Sequence, residues 1–209
     1  MNRRGALRAL GALPGAVAAP AFGAADEASI VTAPIRAFYD ALLDVMRRAK
    51  ALGVRGRYDA LAPVIRATFD LAAMTRISVG PRWNTIPPEQ QAALIDGFTR
   101  MTIATYASRF DGYSGERFEV DPAIETRKTG SVVHTRLVQS NGEPIAINYL
   151  MRHSAPGWKV VDVYLTGTIS ELATRRSEFS AILDAGGATK LIDTLKQQTD
   201  QLLQPTPAK

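Results

Sequence analysis

The apolar residues of this chain change their spacing near Gly115, and this change constrains the fold more than any other feature. Upstream they recur every three or four residues, as on one face of a helix, and downstream at every second residue, as on one face of a strand. The predicted strands are Arg117 to Val120, Ile124 to Lys128, Ser131 to Gln139, Pro144 to His153 and Trp158 to Leu165. Turn signals at Thr129-Gly130, Asn141-Gly142 and Pro156-Gly157 join the later strands as successive hairpins, so at least that part of the sheet is predicted to be antiparallel.

Helical patterns flank these strands on both sides. The predicted helices are Pro34 to Leu52, Arg57 to Thr68 with a bend at Pro63, one capped by Asp70 that ends before Gly80, Pro88 to Phe110, one capped by Ser170 and stopped by Gly186-Gly187, and a last helix containing Leu191 and Leu202. Helices, a strand meander and further helices in one chain of this length predict an α+β fold in a single domain. Its sheet is predicted to be antiparallel or mixed and to pack against several helices.

The strand from Trp158 to Leu165 is unusual because both of its predicted faces are largely apolar. Strict alternation places Trp158, Val160, Asp162 and Tyr164 on one face, and Lys159, Val161, Val163 and Leu165 on the other. Two layers of helices could close both faces, or one face could border something else. In the preceding strand, alternation places Ile145, Ile147, Tyr149 and Met151 on one dry face.

The helix predicted from Pro88 to Phe110 also has more apolar surface than a single neighbour would cover. Its apolar and aromatic side chains, which include Phe98, Met101 and Tyr106, spread over an arc of roughly 200°. We therefore expect this helix to contact more than one apolar surface.

The first 25 residues have the features of an export signal. Met1 to Arg8 is basic, Ala9 to Ala19 is apolar, and small residues suitable for cleavage lie near Gly23 to Ala25. The apolar run is shorter than the ~20 residues that a membrane span needs, and it contains glycine and proline. The sequence thus predicts a signal peptide over residues 1–25, a mature domain over residues 26–204, a frayed tail over residues 205–209, and a periplasmic location. Arg3-Arg4 leaves twin-arginine export open beside the general route.

Composition narrows the possible functions. The chain has no cysteine, which excludes thiol catalysis, thiolate metal sites and disulfides. The formal charge of +5 falls to +2 once a signal containing Arg3, Arg4 and Arg8 and no acidic residue is removed, so basicity does not indicate nucleic-acid binding. We expect no metal site and no cofactor.

Few residues could carry out catalysis. His134 and His153 are the two histidines, and they fall in separate predicted strands, where surface positions explain them more simply than a shared site. The segment from Gly112 to Gly115 resembles part of a nucleophile elbow, but Glu116 replaces the second glycine and the serine follows a helix, so we interpret it as a turn. The sequence offers no convincing active site.

Two further alternatives involve charged residues. Asp162, with Tyr164 nearby, could act as an acid or base if burial raised its pKa, whereas hydrogen bonds to neighbouring backbone or to a basic side chain would make it structural. Arg175 and Arg176 could meet an anionic group, but consecutive helix residues point about 100° apart, so at least one is expected to face solvent.

Several segments together resemble one family. They are Phe69 to Met74, Arg82-Trp83, Pro87 to Ala92, Thr105 to Ala107, Tyr113 to Glu116, Gly157 to Val160 with Asp162-Val163, Arg176 to Phe179, and Gly186-Gly187. Their order and spacing resemble the MlaC or toluene-tolerance family of periplasmic phospholipid-binding proteins, over about Pro34 to Leu203. The run from Tyr164 to Phe179 is similar to the hopanoid-associated HpnM branch.

This resemblance implies a carrier without catalytic residues that shuttles phospholipid, or a hopanoid, between the outer membrane and an inner-membrane ABC transporter. The implied fold has a curved sheet packed on helices with a lipid cavity between the layers. The implied partners are the transporter complex and an outer-membrane lipoprotein complex, and a shuttle that diffuses with its cargo hidden is expected to be a monomer. The residues expected to line the cavity are Phe98, Met101, Tyr106, Ile147, Tyr149, Val163 and Leu165.

Three hypotheses therefore stand at the level of sequence. The first is the lipid carrier. The second is a cone-shaped α+β enzyme that uses Asp162. The third is a structural envelope protein, associated with hopanoid biosynthesis or binding only other proteins.

Overall fold

The computed structural model describes residues 24–140 and 142–204. In chain order the elements are α1 (Ala24–Arg47), α2 (Ala49–Thr68), α3 (Leu71–Val79), a 3₁₀ helix (Gly80–Thr85), α4 (Pro88–Arg109), β1 (Arg117–Arg127), β2 (Gly130–Val138), β3 (Ile145–Ser154), β4 (Gly157–Leu165), β5 (Ile169–Ser170) and α5 (Glu171–Leu202). Residues 1–23 of the predicted signal peptide and the predicted tail at 205–209 lie outside the described residues, as does Asn141 of the second hairpin.

The strands form one sheet in the order β1-β2-β3-β4-β5, and every neighbouring pair is antiparallel. The predicted α+β fold is confirmed, and the sheet is the antiparallel alternative. Two predicted strands are a single strand, β1, in which Asp121 to Ala123 bulge out opposite His134. Pro122 lies within this bulge, which suits a residue that has no N–H to donate to a neighbouring strand. The two-residue strand β5 was too short for alternation to predict.

The helix signals that depend on local chemistry are confirmed. The carboxylate of Asp70 accepts a hydrogen bond from the backbone N–H of Ala73 at 2.9 Å and caps α3. The Ser170 hydroxyl accepts one from the N–H of Ala173 at 3.0 Å and caps α5. The predicted interruption at Pro63 is wrong, because α2 continues through this residue and departs from helical geometry at Gly53 instead, where φ is 60°. Glycine adopts this conformation without the steric cost that a Cβ would bring.

The predicted stop at Gly186-Gly187 divides α5 into two halves that both pack on α4. Both glycines depart from helical geometry. Before them, the Phe179 ring meets the Phe98 ring edge to face with centroids 6.2 Å apart. After them, Leu195 packs so closely on Gly97 that a Cβ at that glycine would lie 3.3 Å from the Leu195 side chain. The chain therefore folds back on itself at the glycine pair.

The alternation predicted for β4 is wrong across its middle. Leu150 of β3 pairs with Asp162, but the next residue, Met151, pairs with Val160, so Val161 is an extra residue in β4. One extra residue reverses which face the following side chains occupy. As a result Val160 and Val163, predicted on opposite faces, both join the main core.

The outer face of the sheet is covered only locally. Val132, Leu150 and Val161 form a small buried cluster there, against which Ala73 of α3 and Tyr164 pack. The free edge of β4 beside the bulge is also covered, since the Asp70 N–H donates to the Val160 carbonyl at 2.9 Å. At this edge α3 packs against the main core on one side of the sheet and against the small outer cluster on the other. Both faces of β4 can therefore be apolar.

The main core lies between the inner face of the sheet and the helices. It joins side chains of α1, α2, α3, α4 and α5 to the inner faces of β2, β3 and β4, and the alternation predicted for β3 is confirmed at Ile147, Tyr149 and Met151. In the part of the chain that the structure describes, no helix is long and apolar enough to cross a bilayer.

Candidate functional site

A cavity of about 140 Å³ separates part of the inner sheet face from the helices. All seven residues predicted from the sequence lie in its wall: Phe98, Met101, Tyr106, Ile147, Tyr149, Val163 and Leu165. Those of α4 come from its wide apolar arc, and those of β3 and β4 come from the inner face of the sheet. The structure therefore brings all seven together, although whether they contact a ligand stays a prediction.

The wall also contains residues that the sequence did not single out. They are Tyr39, Leu42, Phe69, Met74, Thr102, Thr105, Arg109, Phe110, Phe118, Glu171, Leu172 and Arg175. Tyr39 and Leu42 belong to the amphipathic face of α1, and their helical spacing does not distinguish a cavity wall from a closed core. Phe69 and Met74 fall in a segment that carries the family resemblance, and Arg175 is one of the two arginines considered for an anionic group. Arg176 is exposed and packs its guanidinium against Gly80 instead.

Aromatic rings form much of the cavity wall. The Tyr39 ring stacks on Phe118 with centroids 4.1 Å apart, and the Tyr106 ring stacks on Phe110 at 6.0 Å. The Phe69 ring meets Tyr149 near a right angle at 6.4 Å. Such pairs hold each other at defined angles, so this part of the wall is shaped by packing as well as by burial.

Two tyrosines of the cavity wall, Tyr39 and Tyr149, are buried, and we call them the tyrosine floor. The Tyr39 hydroxyl lies 3.1 Å from the Tyr149 hydroxyl and 2.6 Å from Oγ1 of Thr135. The Thr135 hydroxyl donates in turn to the Ile147 carbonyl. The polar atoms of the floor are thus paired with one another, which allows them to lie in an apolar environment.

Burial keeps the tyrosines around the cavity neutral. It raises the pKa of Tyr39 to about 12, and the hydrogen bonds to Thr135 and Tyr149 oppose this rise only partly. Burial likewise raises the pKa of Tyr149 and of Tyr106 well above the usual value of a tyrosine. The floor therefore carries no charge at neutral pH.

Three charged side chains lie in the cavity wall. Arg109 ends α4, Glu171 begins α5, and Arg175 lies one helical turn after Glu171; we call these three residues the charged rim. Arg175 bonds to Glu178 at 3.1 Å. Thr102 and Thr105 also line the wall, but their hydroxyls donate to the Phe98 and Met101 carbonyls at 2.8 Å, so they add no free polar group. The cavity wall is therefore mostly apolar, and its charges come from these three side chains.

Asp162 holds the start of α5 in place. Its carboxylate accepts hydrogen bonds from the Val163 N–H at 2.8 Å, the Ser170 hydroxyl at 2.6 Å and the Leu172 N–H at 3.2 Å. These are the structural contacts that the non-catalytic alternative predicted. Asp162 does not line the cavity, and its bonds instead fix the segment that carries Glu171 and Leu172.

The histidines and the serine of the elbow-like segment are also placed away from the cavity. His134 lies 3.2 Å from a carboxylate oxygen of Glu125 on β1, and the His153 ring meets Trp158 near a right angle. Ser114 is exposed between α4 and β1. Within residues 24–140 and 142–204, no group of three or more histidine or acidic side chains could hold a metal ion.

Comparison with known proteins identifies the fold and the family. A search of curated proteins returns no match. Among solved structures, a phospholipid-binding protein from Ralstonia solanacearum, determined in complex with a phospholipid, superposes with a TM-score of 0.73. It is 24% identical in sequence, and the match covers 83% of this chain and 99% of that chain. The sequence model of the MlaC protein family matches residues 36–197. Because this match extends over most of the chain, the protein belongs to the MlaC family.

Proposed function

We propose that this protein is a periplasmic phospholipid carrier that holds acyl chains in the cavity between its sheet and its helices. The single observation that carries the proposal is the cavity itself, whose wall is mostly apolar and aromatic and contains three charged side chains. Family membership and the phospholipid-bound relative support the same assignment. We infer that the protein binds and transports lipid and does not act as an enzyme.

An acyl chain can bind in such a cavity without any covalent reaction or cofactor. Each methylene transferred from water gains about 0.8 kcal/mol, so an acyl chain would be held by burial alone. The cavity of about 140 Å³ is smaller than the roughly 300–1,000 Å³ typical of ligand pockets. Loading therefore requires the helices and the sheet to move apart, and a partner that favours the separated state would promote release.

We further propose that the carrier moves lipid between the outer membrane and an inner-membrane ABC transporter, with an outer-membrane lipoprotein complex as the second partner. The export signal predicted over residues 1–25 supports a periplasmic location. N-terminal sequencing of protein from the periplasmic fraction should give a mature chain that begins near Ala24 or Asp26. Recovery of uncleaved chain in the inner membrane would contradict this location.

The cargo class can be tested directly. Native mass spectrometry of the purified protein, followed by lipid extraction, should show one species heavier than the polypeptide and a diacyl phospholipid in the extract. A hopanoid in the extract would replace phospholipid as cargo, as the resemblance to the HpnM branch allows. A protein without lipid that also fails to take any from vesicles would contradict the carrier.

A charge in the cavity wall should abolish binding. Leu165→Glu, or Val163→Glu, would place a carboxylate against acyl chain, at a cost of several kcal/mol unless the group escapes or neutralises. We expect either variant to lose its lipid while circular dichroism shows the fold intact. The matched control is Lys196→Glu on the exposed face of α5, which should bind like the unmodified protein. A folded Leu165→Glu protein with its full lipid complement would show that this wall is not the binding surface.

A further inference from the structure

Four cationic side chains lie together at the end of the sheet where the β1–β2 and β3–β4 hairpins turn, and we call them the cationic row. Arg127 ends β1, Lys128 follows in the turn, and Arg152 of β3 is paired with Lys159 of β4. Arg127 is paired with Gly130 of β2, and a Cβ at Gly130 would lie 3.2 Å from Cγ of Arg152. The strand residues therefore form one line across four strands, about 14 Å long at the usual strand spacing.

The cationic row lies on the outer face of the sheet, away from the cavity. Tyr149 lines the cavity from the inner face of β3, so alternation places Leu150 and Arg152 on the outer face, where Leu150 belongs to the small outer cluster. Residues paired directly across neighbouring strands project to the same face. Lys159 and Arg127 therefore lie on the outer face as well.

Gly130 leaves the middle of the row open. Its φ of 142° belongs to a region that residues with a side chain rarely adopt, and a Cβ there would collide with the carbonyl oxygen of Met151. No side chain can therefore stand between Arg127 and Arg152, which are both exposed. The two guanidinium groups are accessible from the outer face.

The cationic row repels itself and has little compensating negative charge. Arg152 and Lys159 are directly opposed, and like charges in this position destabilise a sheet. Among the residues that the structure describes, no carboxylate lies within 4.0 Å of Lys128, Arg152 or Lys159. Glu125 pairs with Arg127. The row therefore presents a net positive charge to solvent.

Two of the cations also have structural contacts. Nε of Arg152 donates to the Thr129 carbonyl at 2.8 Å, and Nζ of Lys159 donates to the Arg66 carbonyl in the last turn of α2 at 3.3 Å. Each bond occupies one donor, whereas a guanidinium has five N–H groups and an ammonium has three. A neutral glutamine could donate in either place without the repulsion. The hydrogen bonds alone thus do not account for a positive charge at both positions.

The surface of an anionic bilayer complements such a row. It presents many equivalent phosphates, and each Lys or Arg held near it gains from the negative surface potential. Guanidinium groups bind phosphate oxygens through several donors at once. The half-buried Trp158 lies in the same hairpin, with its ring 5.6 Å from that of His153. Tryptophan is typical of the headgroup region of a bilayer, and this favours a bilayer over an acidic protein segment as the occupant.

We propose that the cationic row docks this protein on bilayers that contain anionic phospholipid. The contact is peripheral and reversible, because it depends on surface charge that salt can screen. The proposal goes beyond the carrier function and does not rest on it, since the row lies on the sheet face opposite the cavity. Docking would hold the protein at a membrane surface whether its cavity is loaded or empty.

The test is sedimentation of the protein with vesicles, made either of phosphatidylcholine alone or of equal amounts of phosphatidylcholine and phosphatidylglycerol. At low ionic strength the unmodified protein should sediment with the vesicles that contain phosphatidylglycerol and not with the others, and added salt should release it. The double variant Arg152→Gln/Lys159→Gln should lower the partition coefficient about 25-fold, or about fivefold for each cation removed.

The matched control is Lys190→Gln/Lys196→Gln, which removes the same charge from exposed positions on α5. It should bind nearly as well as the unmodified protein. Lys128→Gln changes an exposed residue of the β1–β2 turn and should lower binding about fivefold. This single variant decides the question if circular dichroism shows that the double variant is misfolded.

Several results would overturn the proposal. If the unmodified protein does not sediment with phosphatidylglycerol vesicles at low ionic strength, the row does not dock on bilayers. If the variants of the row and the control lose binding equally, net charge is responsible and the row is not. If soluble polyglutamate binds the protein while vesicles do not, the occupant is an acidic protein segment and the proposal is wrong.

The same samples report separately on the carrier. Lipid is extracted from the re-isolated protein and quantified, and the double variant should retain its lipid while it loses vesicle binding. A protein that docks on vesicles but never holds lipid would contradict the proposed function and leave this inference standing.

Discussion

The tyrosine floor and the charged rim belong to the wall of one cavity, and they are built from opposite kinds of contact. At the floor, Tyr39 and Tyr149 are 3% and 1% exposed, packed among aromatic rings and hydrogen-bonded to each other. At the rim, Arg109 is exposed and lacks an ionic partner among the described residues, as does Glu171. The comparison indicates that the floor stabilises the fold, whereas the rim is free to interact with a ligand.

The largest effect should follow from removing a floor side chain. Tyr149→Ala deletes a fully buried ring and leaves a hole beside Phe69, so we expect the free energy of unfolding to fall by about 3–5 kcal/mol. Urea titration measures this change. Tyr113→Ala is the matched control, because Tyr113 is 41% exposed and the Arg47 guanidinium lies over its ring, and it should cost less than about 1 kcal/mol. Equal losses at the two positions would contradict the role assigned to the floor.

The next effect concerns pH. The pKa of Tyr39 is about 12 in the folded protein, compared with about 10 for an unperturbed tyrosine. The unfolded chain therefore loses this proton first, and the contribution of Tyr39 to stability, constant below about pH 10, falls by about 1.4 kcal/mol per pH unit up to about pH 12. Tyr39→Phe should remove that part of the slope. The measurement is urea unfolding from pH 9 to 11 for both proteins, and parallel curves would show that Tyr39 is not responsible.

A smaller effect distinguishes the contribution of the Tyr149 hydroxyl to stability from that of the Tyr149 ring. Tyr149→Phe keeps the ring and removes one partner of the 3.1 Å contact, while Tyr39 keeps its bond to Thr135. We expect a loss of about 1 kcal/mol in the free energy of unfolding and unchanged lipid binding. A loss as large as that of Tyr149→Ala would mean that the hydrogen-bond network, and not ring packing, holds the floor together.

The smallest effect on stability should come from the rim. Arg109→Ala removes an exposed side chain that has no ion pair with any described residue, so the free energy of unfolding should change by less than about 0.5 kcal/mol. Thermal unfolding of lipid-free protein checks this expectation. A clear destabilisation would show that the rim belongs to the scaffold and would remove the contrast with the floor.

Much of this architecture could be predicted from the sequence, because it depends on local chemistry. Asp70 and Ser170 cap their helices as expected, and the antiparallel meander follows from period-two alternation and glycine-containing turns. The bulge at Val161 could not be predicted, since the sequence around it alternates as an unbroken strand would. It is set by pairing with β3 and with Asp70, which are contacts distant in sequence.

The cavity was predictable in part for a similar reason. The apolar arc of α4 was too wide for one neighbouring element to cover. Alternation or helical spacing placed seven residues on apolar faces, and the family resemblance indicated that these faces line a cavity. Tyr39 and Phe118 were missed because their stacking joins α1 to β1 across the fold. Glu171 was missed because a glutamate in the first turn of a helix is normal on electrostatic grounds alone.

The central claim is that acyl chains lie between the sheet and the helices, and the methionines of the protein allow a direct test. Met74 and Met101 line the cavity, whereas Met46 is buried in the core and does not line it. In protein with ¹³C-labelled methionine methyl groups, loaded with a phospholipid, nuclear Overhauser effects from acyl-chain protons should reach Met74 and Met101 and not Met46. Lipid-loaded protein in which neither Met74 nor Met101 shows such effects would contradict the claim.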